Sequence, residues 1–282
     1  MADQRPIGLF DSGVGGLTVL REVVRRLPAE STIYLGDNAR APYGPRSDEE
    51  VRRFSAESLD ELAARDVKAI VVACNTSSAI ALNDLRLRYP VPILGVVRPG
   101  ATAAALATRS RRVGVIATAA TVRSHAYFQA IKDEDPFINV VELATPDLVP
   151  LVEAGQLEGS LVDDVVERSI APLLERGERP DTLLLGCTHY PLLAPVIERL
   201  MGAHVAVIDS ARSAASALAH LLEVHGLQAA DGPGQPPATH VQLTTGDVAA
   251  FRVIADRLFG DISPAVEPVA LPGVAQAGRV DG

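Results

Sequence analysis

Two cysteines are the residues of this chain that could carry out unusual chemistry, and they are the only cysteines among its 282 residues. Cys74 stands in VVACNTSS and Cys187 in LGCTHY, each directly after an apolar run that predicts a buried strand. A single buried cysteine is usually inert packing. Two thiols on opposite faces of one carbon, however, can remove a proton and return it from the other side. The pair therefore suggests a hypothesis of stereoinversion.

The two cysteines occupy the same place in an internal duplication. Predicted strands begin near residues 7, 33, 69 and 92, and again near 113, 138, 182 and 205. Cys74 follows the third predicted strand of the first copy, and Cys187 follows the third of the second. Because helical patterns alternate with these strands, we expect an α/β fold with two pseudo-symmetric parallel-sheet domains. Equivalent thiols would then face one another across the cleft between the domains.

A glycine-rich loop, DSGVGG, follows the first predicted strand. It does not match the dinucleotide pattern G-x-G-x-x-G, since Thr18 stands where the last glycine would be, and no Walker lysine follows. We interpret the loop as a tight turn that exposes Asp11 and Ser12 at the carboxyl end of the sheet. Open α/β sheets bind their ligands at that edge.

Other roles for the cysteines fit the sequence less well. His189 alone does not complete a zinc site, and no C-x-x-C pair is present. A thiol between a strand and a helix is expected to have a lowered pKa, because the helix N-terminus and nearby N–H donors favour the thiolate. Pyridoxal phosphate would need a Schiff-base lysine. Lys68 begins a strand and Lys132 lies in the charged segment KDED, so we predict neither a metal nor an organic cofactor.

The composition restricts the class of partner. An apolar content of 48% supports a large core, and a formal charge of −9 argues against nucleic acid or an anionic membrane as the main partner. The N-terminal MADQRPIGLF lacks the features of a signal peptide, and no apolar run reaches membrane-spanning length. We therefore expect a cytoplasmic protein with a small-molecule substrate.

Four motifs together resemble the glutamate racemases: FDSGVGG, GDNARAPYG, VVACNTSS and LGCTHYPLL, in this order, within a resemblance that runs from about residue 7 to 260. The resemblance implies a cofactor-independent enzyme that interconverts L- and D-glutamate. The D-glutamate would supply bacterial peptidoglycan, and thus cell-wall biogenesis and cell shape. We also expect a homodimer.

The resemblance further implies the roles of individual residues. Cys74 and Cys187 would donate and accept the proton, with Asp11, His189 and Glu153 as assistants. The substrate would be bound by Asp11, Ser12, Tyr43, Gly44, Asn75, Thr76, Thr188 and His189. It also implies that the chain returns to the first domain, so that residues 1–98 and 210–264 form one domain, 99–209 form the other and 265–282 form a C-terminal tail.

Two alternatives stay open at this point. An aspartate or hydantoin racemase would share the fold and the two thiols. A two-lobed amino-acid-binding protein without catalysis would share the duplicated lobes, but it would have no need of two equivalent cysteines.

Overall fold

A computed structural model gives the fold and describes residues 2–175, 177, 179–232, 234–260 and 263–274. The strands within these residues are β1 (Ile7–Asp11), β2 (Thr32–Gly36), β3 (Ala69–Val72), β4 (Ile93–Gly95), β5 (Arg112–Ala117), β6 (Asn139–Ala144), β7 (Thr182–Gly186), β8 (Ala206–Asp209), β9 (His240–Thr244) and β10 (Ala265–Pro268). The eight predicted strand starts each lie within one residue of the start of β1 to β8. The periodicity therefore located these strands correctly.

Helices follow the strands along the chain. They are α1 (Leu17–Arg26), α2 (Asp48–Ala63), α3 (Asn75–Ile80), α4 (Leu82–Arg88), α5 (Val97–Ala107), α6 (Ala119–Ser124), α7 (Ala126–Glu134), α8 (Leu148–Glu153), α9 (Ser160–Leu174), α10 (Ala194–Met201), α11 (Ser210–His225) and α12 (Val248–Phe259). Short 3-10 turns span Asn38–Arg40 and Tyr190–Leu193. Among the described residues, the structure has no helix with both the length and the apolar character needed to cross a membrane.

The strands form two separate parallel sheets. The first has the order β10-β9-β2-β1-β3-β4 and the second has the order β6-β5-β7-β8. The order β2-β1-β3-β4 in one sheet is repeated by β6-β5-β7-β8 in the other. This confirms the predicted α/β class with two pseudo-symmetric parallel sheets. It also shows that β3 and β7, the strands before the two cysteines, are equivalent.

The central strands are buried on both faces. Every residue of β1, β3 and β7 is buried, because helices cover both sides of each sheet. Such strands are continuously apolar, which is why they were recognisable in the sequence. Helix α1 covers one face of the first sheet with Leu17, Leu20 and Val23, all fully buried.

Two helices lie where the chain passes between the sheets. Helix α5 leads from β4 into the second sheet, and α11 leads back from β8; the two helices contact each other. Strand β9 then pairs with β2 of the first sheet. This return agrees with the discontinuous first domain, whose boundaries at residues 98 and 210 stay a prediction.

The C-terminal segment differs from the expected tail at its start. Residues 265–268 form β10, which pairs in parallel with β9 and extends the first sheet. The alternation of apolar residues is weak here because only Val266 of β10 is buried, so the strand was not recognisable from its pattern. The predicted tail also includes residues 275–282, which lie outside the described residues.

Candidate active site

The carboxyl ends of the two sheets border a narrow cleft. Both cysteines line it. Among the described residues, the lining consists of Ser12, Pro42, Tyr43, Gly44, Cys74, Asn75, Thr76, Thr118, Val149, Cys187, Thr188 and His189. Two of the predicted site residues, Asp11 and Glu153, are not in this lining but contact residues that are. The structure thus brings together the side chains that the motifs predicted.

Cys74 lies between β3 and α3, where it is the N-cap residue of the helix. Its Sγ lies 3.5 Å from Ser12 Oγ, to which the thiol donates, and 3.5 Å from the backbone nitrogen of Ser77. Burial raises the pKa of the Cys74 thiol, and the negative charge of Asp11 raises it further, against smaller opposite effects of Ser12 and Ser77. The expectation of a lowered pKa was therefore wrong for Cys74, because desolvation outweighs the helix N-terminus and its N–H donors.

Cys187 belongs to a chain of three ionisable groups. Its Sγ lies 3.6 Å from Nδ1 of His189, and Nε2 of the same imidazole lies 2.5 Å from Oε1 of Glu153. Burial lowers the pKa of His189, but the hydrogen bonds and negative charges of Cys187 and Glu153 outweigh it, so the pKa lies well above its usual value. The arrangement favours the protonated imidazolium form of His189 between Cys187 and Glu153.

Asp11 connects the loops that follow β1 and β7. Its Oδ2 accepts a hydrogen bond from the backbone N–H of Gly13 at 3.1 Å, and its Oδ1 accepts one from the Thr188 hydroxyl at 3.2 Å. Asp11 is fully buried, and this burial raises the pKa of its carboxyl although the charge of His189 acts in the opposite direction. The carboxylate therefore lies close to both thiol loops without lining the cleft.

Glycine in the DSGVGG loop allows the loops after β1 and β7 to approach closely. A Cβ added to Gly15 would lie 2.5 Å from Thr188 Oγ1 and 2.7 Å from His189 Nδ1, distances that real Cβ atoms do not adopt. The loop is thus neither a nucleotide cradle nor a simple turn. The Thr188 and His189 side chains pack directly against it.

Tyr43 and Gly44 both line the cleft, but the Tyr43 hydroxyl is already hydrogen-bonded to another residue. The Tyr43 hydroxyl donates to Asp37 Oδ2 at 2.5 Å, and Asp37 also accepts from Arg40 and Thr245. Tyr43 therefore lines the cleft while its hydroxyl is bonded to Asp37, which is not among the lining residues. A Cβ on Gly44 would lie 2.9 Å from Thr118 Cβ, so this glycine permits a close contact between the lobes.

Thr118 lines the cleft and Thr121 contacts it, and neither residue was predicted from the sequence. Their hydroxyls form a triangle with that of Thr76, at 3.0 Å (Thr76 to Thr118), 3.3 Å (Thr76 to Thr121) and 3.1 Å (Thr118 to Thr121). The duplication could have identified Thr118, because it follows β5 as Ser12 follows β1. Neither threonine stood in one of the four recognised motifs.

Asn75, directly after Cys74, uses only one of the two polar atoms of its side-chain amide in a hydrogen bond to the described residues. Its Oδ1 accepts a hydrogen bond from the hydroxyl of Tyr127, whereas its buried Nδ2 has no partner among the described residues. An unpaired buried donor is costly. Because Asn75 lines the cleft, Nδ2 is available to an acceptor bound there.

The two lysines, Lys68 and Lys132, are not among the residues that line the cleft. Lys68 Nζ pairs with Glu30 at 2.5 Å and donates to the carbonyl of Asp3, near the amino end of β3. Lys132 donates to the carbonyls of Pro136 and Ile138. Within the described part of the chain, no group of three or more His, Cys, Asp or Glu side chains is placed to hold a metal ion.

Comparison with known families agrees with the resemblance of the motifs. The sequence matches the family described as Asp/Glu/Hydantoin racemase over residues 7–218. The chain belongs to this family. The match includes both cysteine motifs and all four strands of the second sheet. The family assignment agrees with the same strand order in the two sheets and with one cysteine at the end of each equivalent strand.

Several relatives of the chain are named glutamate racemases. The one from Enterococcus faecalis is 44% identical over 260 residues, covering 92% of this chain and 94% of that protein. A crystal structure of a glutamate racemase isoform from Bacillus anthracis has a TM-score of 0.90 at 41% identity, covering 96% of this chain and 99% of that one. The glutamate racemase of Francisella tularensis, solved in complex with D-glutamate, has a TM-score of 0.84 at 33% identity, covering 95% and 98%. The predicted resemblance is confirmed.

Proposed function

We propose that this chain is a glutamate racemase that interconverts L- and D-glutamate by proton transfer at Cα between two thiols. The observation that carries the proposal is the placement of Cys74 and Cys187. They follow equivalent strands of two sheets and line one cleft. The similarity to glutamate racemases, at 44% identity over most of the chain for the E. faecalis protein, favours glutamate as the substrate.

In the proposed reaction, one cysteine acts as base and the other as acid. A thiolate removes the α-proton from one face of glutamate, and the opposite thiol donates its proton to the other face of the carbanion. Each turnover leaves the two cysteines in exchanged protonation states, ready for the reverse reaction. One thiol must therefore be ionised and the other protonated when the substrate binds. The raised pKa of Cys74 fits a protonated thiol, and the His189 imidazolium fits a thiolate at Cys187.

The α-proton of an amino acid is far less acidic than a thiol, so the site must stabilise the carbanion. Preorganised donors contribute about 3–4 kcal/mol each at comparable oxyanion sites. The cleft offers such donors on both lobes: the hydroxyls of Ser12, Thr76 and Thr118 and the unpaired Nδ2 of Asn75. We assign these donors to the carboxylates of the substrate, and the hydroxyl oxygens, including that of Thr188, to its ammonium as acceptors, together with the Tyr43–Gly44 backbone.

The assisting residues are Asp11, His189 and Glu153. His189 and Glu153 stabilise the thiolate form of Cys187 by holding a positive charge beside it. Asp11 has the opposite influence on Cys74, because its negative charge favours the protonated thiol. Such opposed influences suit a pair in which one member is an acid when the other is a base.

The biological setting follows from the same proposal. D-glutamate made in the cytoplasm would supply peptidoglycan synthesis, and so cell-wall formation and cell shape. We further propose that the enzyme works as a homodimer without a metal or organic cofactor.

The test is a circular-dichroism assay of the purified protein with L-glutamate and L-aspartate at matched concentrations, without added cofactor. We expect glutamate to exceed aspartate in kcat/KM by at least about a hundredfold, because polar anchors for the distal carboxylate are left unpaired by the shorter substrate. Comparable values of kcat/KM for the two amino acids would identify the protein as a broad acidic-amino-acid racemase. The proposal would be overturned if the protein racemised neither amino acid, or if its activity after dialysis required pyridoxal phosphate or a metal.

A further inference from the structure

Tyr127 lies at the junction of both lobes and both connecting helices. Its side chain is fully buried, and its hydroxyl donates to Oδ1 of Asn75 in the opposite lobe. Its ring lies against Gly186, the residue before Cys187: a Cβ there would be 2.9 Å from Tyr127 Cε2. One tyrosine thus contacts the segments that carry both cysteines.

The hydroxyl of Tyr127 also lies beside the two helices that connect the sheets. A Cβ on Gly100 of α5 would be 3.5 Å from Tyr127 Oη and 3.1 Å from Cβ of Ser210, the first residue of α11. Burial raises the pKa of Tyr127, so the phenol keeps its proton. That proton is donated to Oδ1 of Asn75.

This direction of donation determines which end of the Asn75 amide faces the cleft. A tyrosine O–H can donate to the amide oxygen but not to the NH₂ group. Oδ1 is therefore turned toward Tyr127, and Nδ2, which is buried without a partner, is presented to the cleft. Without the tyrosine proton, the amide could rotate by half a turn and present Oδ1 to the substrate instead.

We propose that Tyr127 is a positioning residue for catalysis, which orients the Asn75 amide so that its N–H group donates to a carboxylate of the bound amino acid. This rests on the proposed racemase function. A reversed amide would place an oxygen against a carboxylate, so the tyrosine hydroxyl decides between attraction and repulsion at that contact. Tyr127 has this effect without touching the substrate.

The test is a double-mutant cycle in kcat/KM for L-glutamate with the full-length chain, using Tyr127→Phe, Asn75→Ala and the double variant. We expect Asn75→Ala to lower kcat/KM by about 10- to 100-fold and Tyr127→Phe by about tenfold, as for loss of a hydrogen bond to a charged group. In the Asn75→Ala background, Tyr127→Phe should change kcat/KM by less than about twofold, because no amide is left to orient. Asn75→Ser replaces Asn75→Ala if the alanine variant does not fold.

Tyr190→Phe is the matched control. Tyr190 is also fully buried in the second lobe, and its hydroxyl bonds to Thr145, outside the cleft lining. The Tyr190→Phe variant should lower the melting temperature by about as much as Tyr127→Phe does, but its kcat/KM should stay within about twofold of wild type. A merely structural role of Tyr127 would lower kcat/KM by the same factor in both backgrounds, which would overturn this inference alone. An inactive wild-type chain would overturn the proposed function and this inference with it.

Discussion

Glu153 Oε1 lies 2.5 Å from Nε2 of His189, at the opposite end of the imidazole from the thiol of Cys187. His189 is buried, whereas about a third of the Glu153 side chain is exposed, so the carboxylate retains part of its hydration while neutralising a buried cation. A buried imidazolium is stable only with such partners. The pair therefore connects the stability of the fold with the protonation state of the site.

Replacing Glu153 by glutamine should change how the free energy of unfolding depends on pH. The pKa of His189 is raised in the folded protein. A raised pKa contributes stability that is fully present below the unfolded value, about pH 6.5, and is lost as the pH rises through the folded value. We expect Glu153→Gln to lower the free energy of unfolding by about 1 kcal/mol at pH 6, and by progressively less at higher pH.

Urea unfolding of the wild type and Glu153→Gln from pH 6 to 9 measures this difference. Glu223→Gln is the control, since Glu223 is an exposed carboxylate on α11 without a salt bridge to the described residues. If Glu153→Gln lowered the free energy of unfolding by the same amount at every pH from 6 to 9, His189 would not be an imidazolium paired with Glu153.

Substituting either thiol should abolish racemisation. Cys74→Ser and Cys187→Ser each replace the thiol with a hydroxyl that is a much weaker acid, and we expect kcat to fall by at least about 10³-fold in both directions of the reaction. Ser55→Ala, which removes a buried hydroxyl bonded to Ser77 away from the cleft, should retain activity. Near-normal turnover by either serine variant with an unchanged circular-dichroism spectrum would refute the two-thiol mechanism.

Asp11→Asn should make Cys74 a stronger acid. After burial, the charge of Asp11 is the next largest influence that raises the pKa of the thiol. In a Cys187→Ser background, where Cys74 is the only cysteine, the rate of alkylation by iodoacetamide reports its thiolate fraction. We expect the pH profile of this rate to shift to lower pH with Asp11→Asn. The exposed Asp164→Asn should leave it unchanged, and a shift to higher pH would show that Asp11 stabilises the thiolate.

Gly15→Ala should impair catalysis through the loop contact alone. The added Cβ would lie 2.5 Å from Thr188 Oγ1 and 2.9 Å from the backbone nitrogen of His189, so the loops after β1 and β7 must separate. Misplacement of catalytic groups by about 1 Å can cost about a hundredfold in rate, and we expect a loss of kcat/KM of this order. Gly177→Ala, where an added Cβ meets nothing within 4 Å, is the control; equal activity of the two variants would show that the close approach is unimportant.

The sequence by itself determined the elements that carry the site. Strands β1, β3 and β7 are buried on both faces, so they are continuous apolar runs that can be recognised without a structure. Side chains at the carboxyl ends of parallel strands meet at one edge, which predicted that Asp11 and Ser12 lie at the ligand-binding edge of the sheet. The equivalent spacing of the two copies placed Cys187 in the same position of the second lobe.

Only the tertiary structure decided which groups contact one another across the lobes. The bond from Thr188 to Asp11 joins residues 177 positions apart, and that from Tyr127 to Asn75 joins residues 52 apart. Such pairs leave no local periodicity, because they depend on how two independently patterned lobes are docked. The same holds for the pKa of Cys74: the sequence indicated the helix N-terminus that lowers it, but only the packed structure revealed the burial that raises it more.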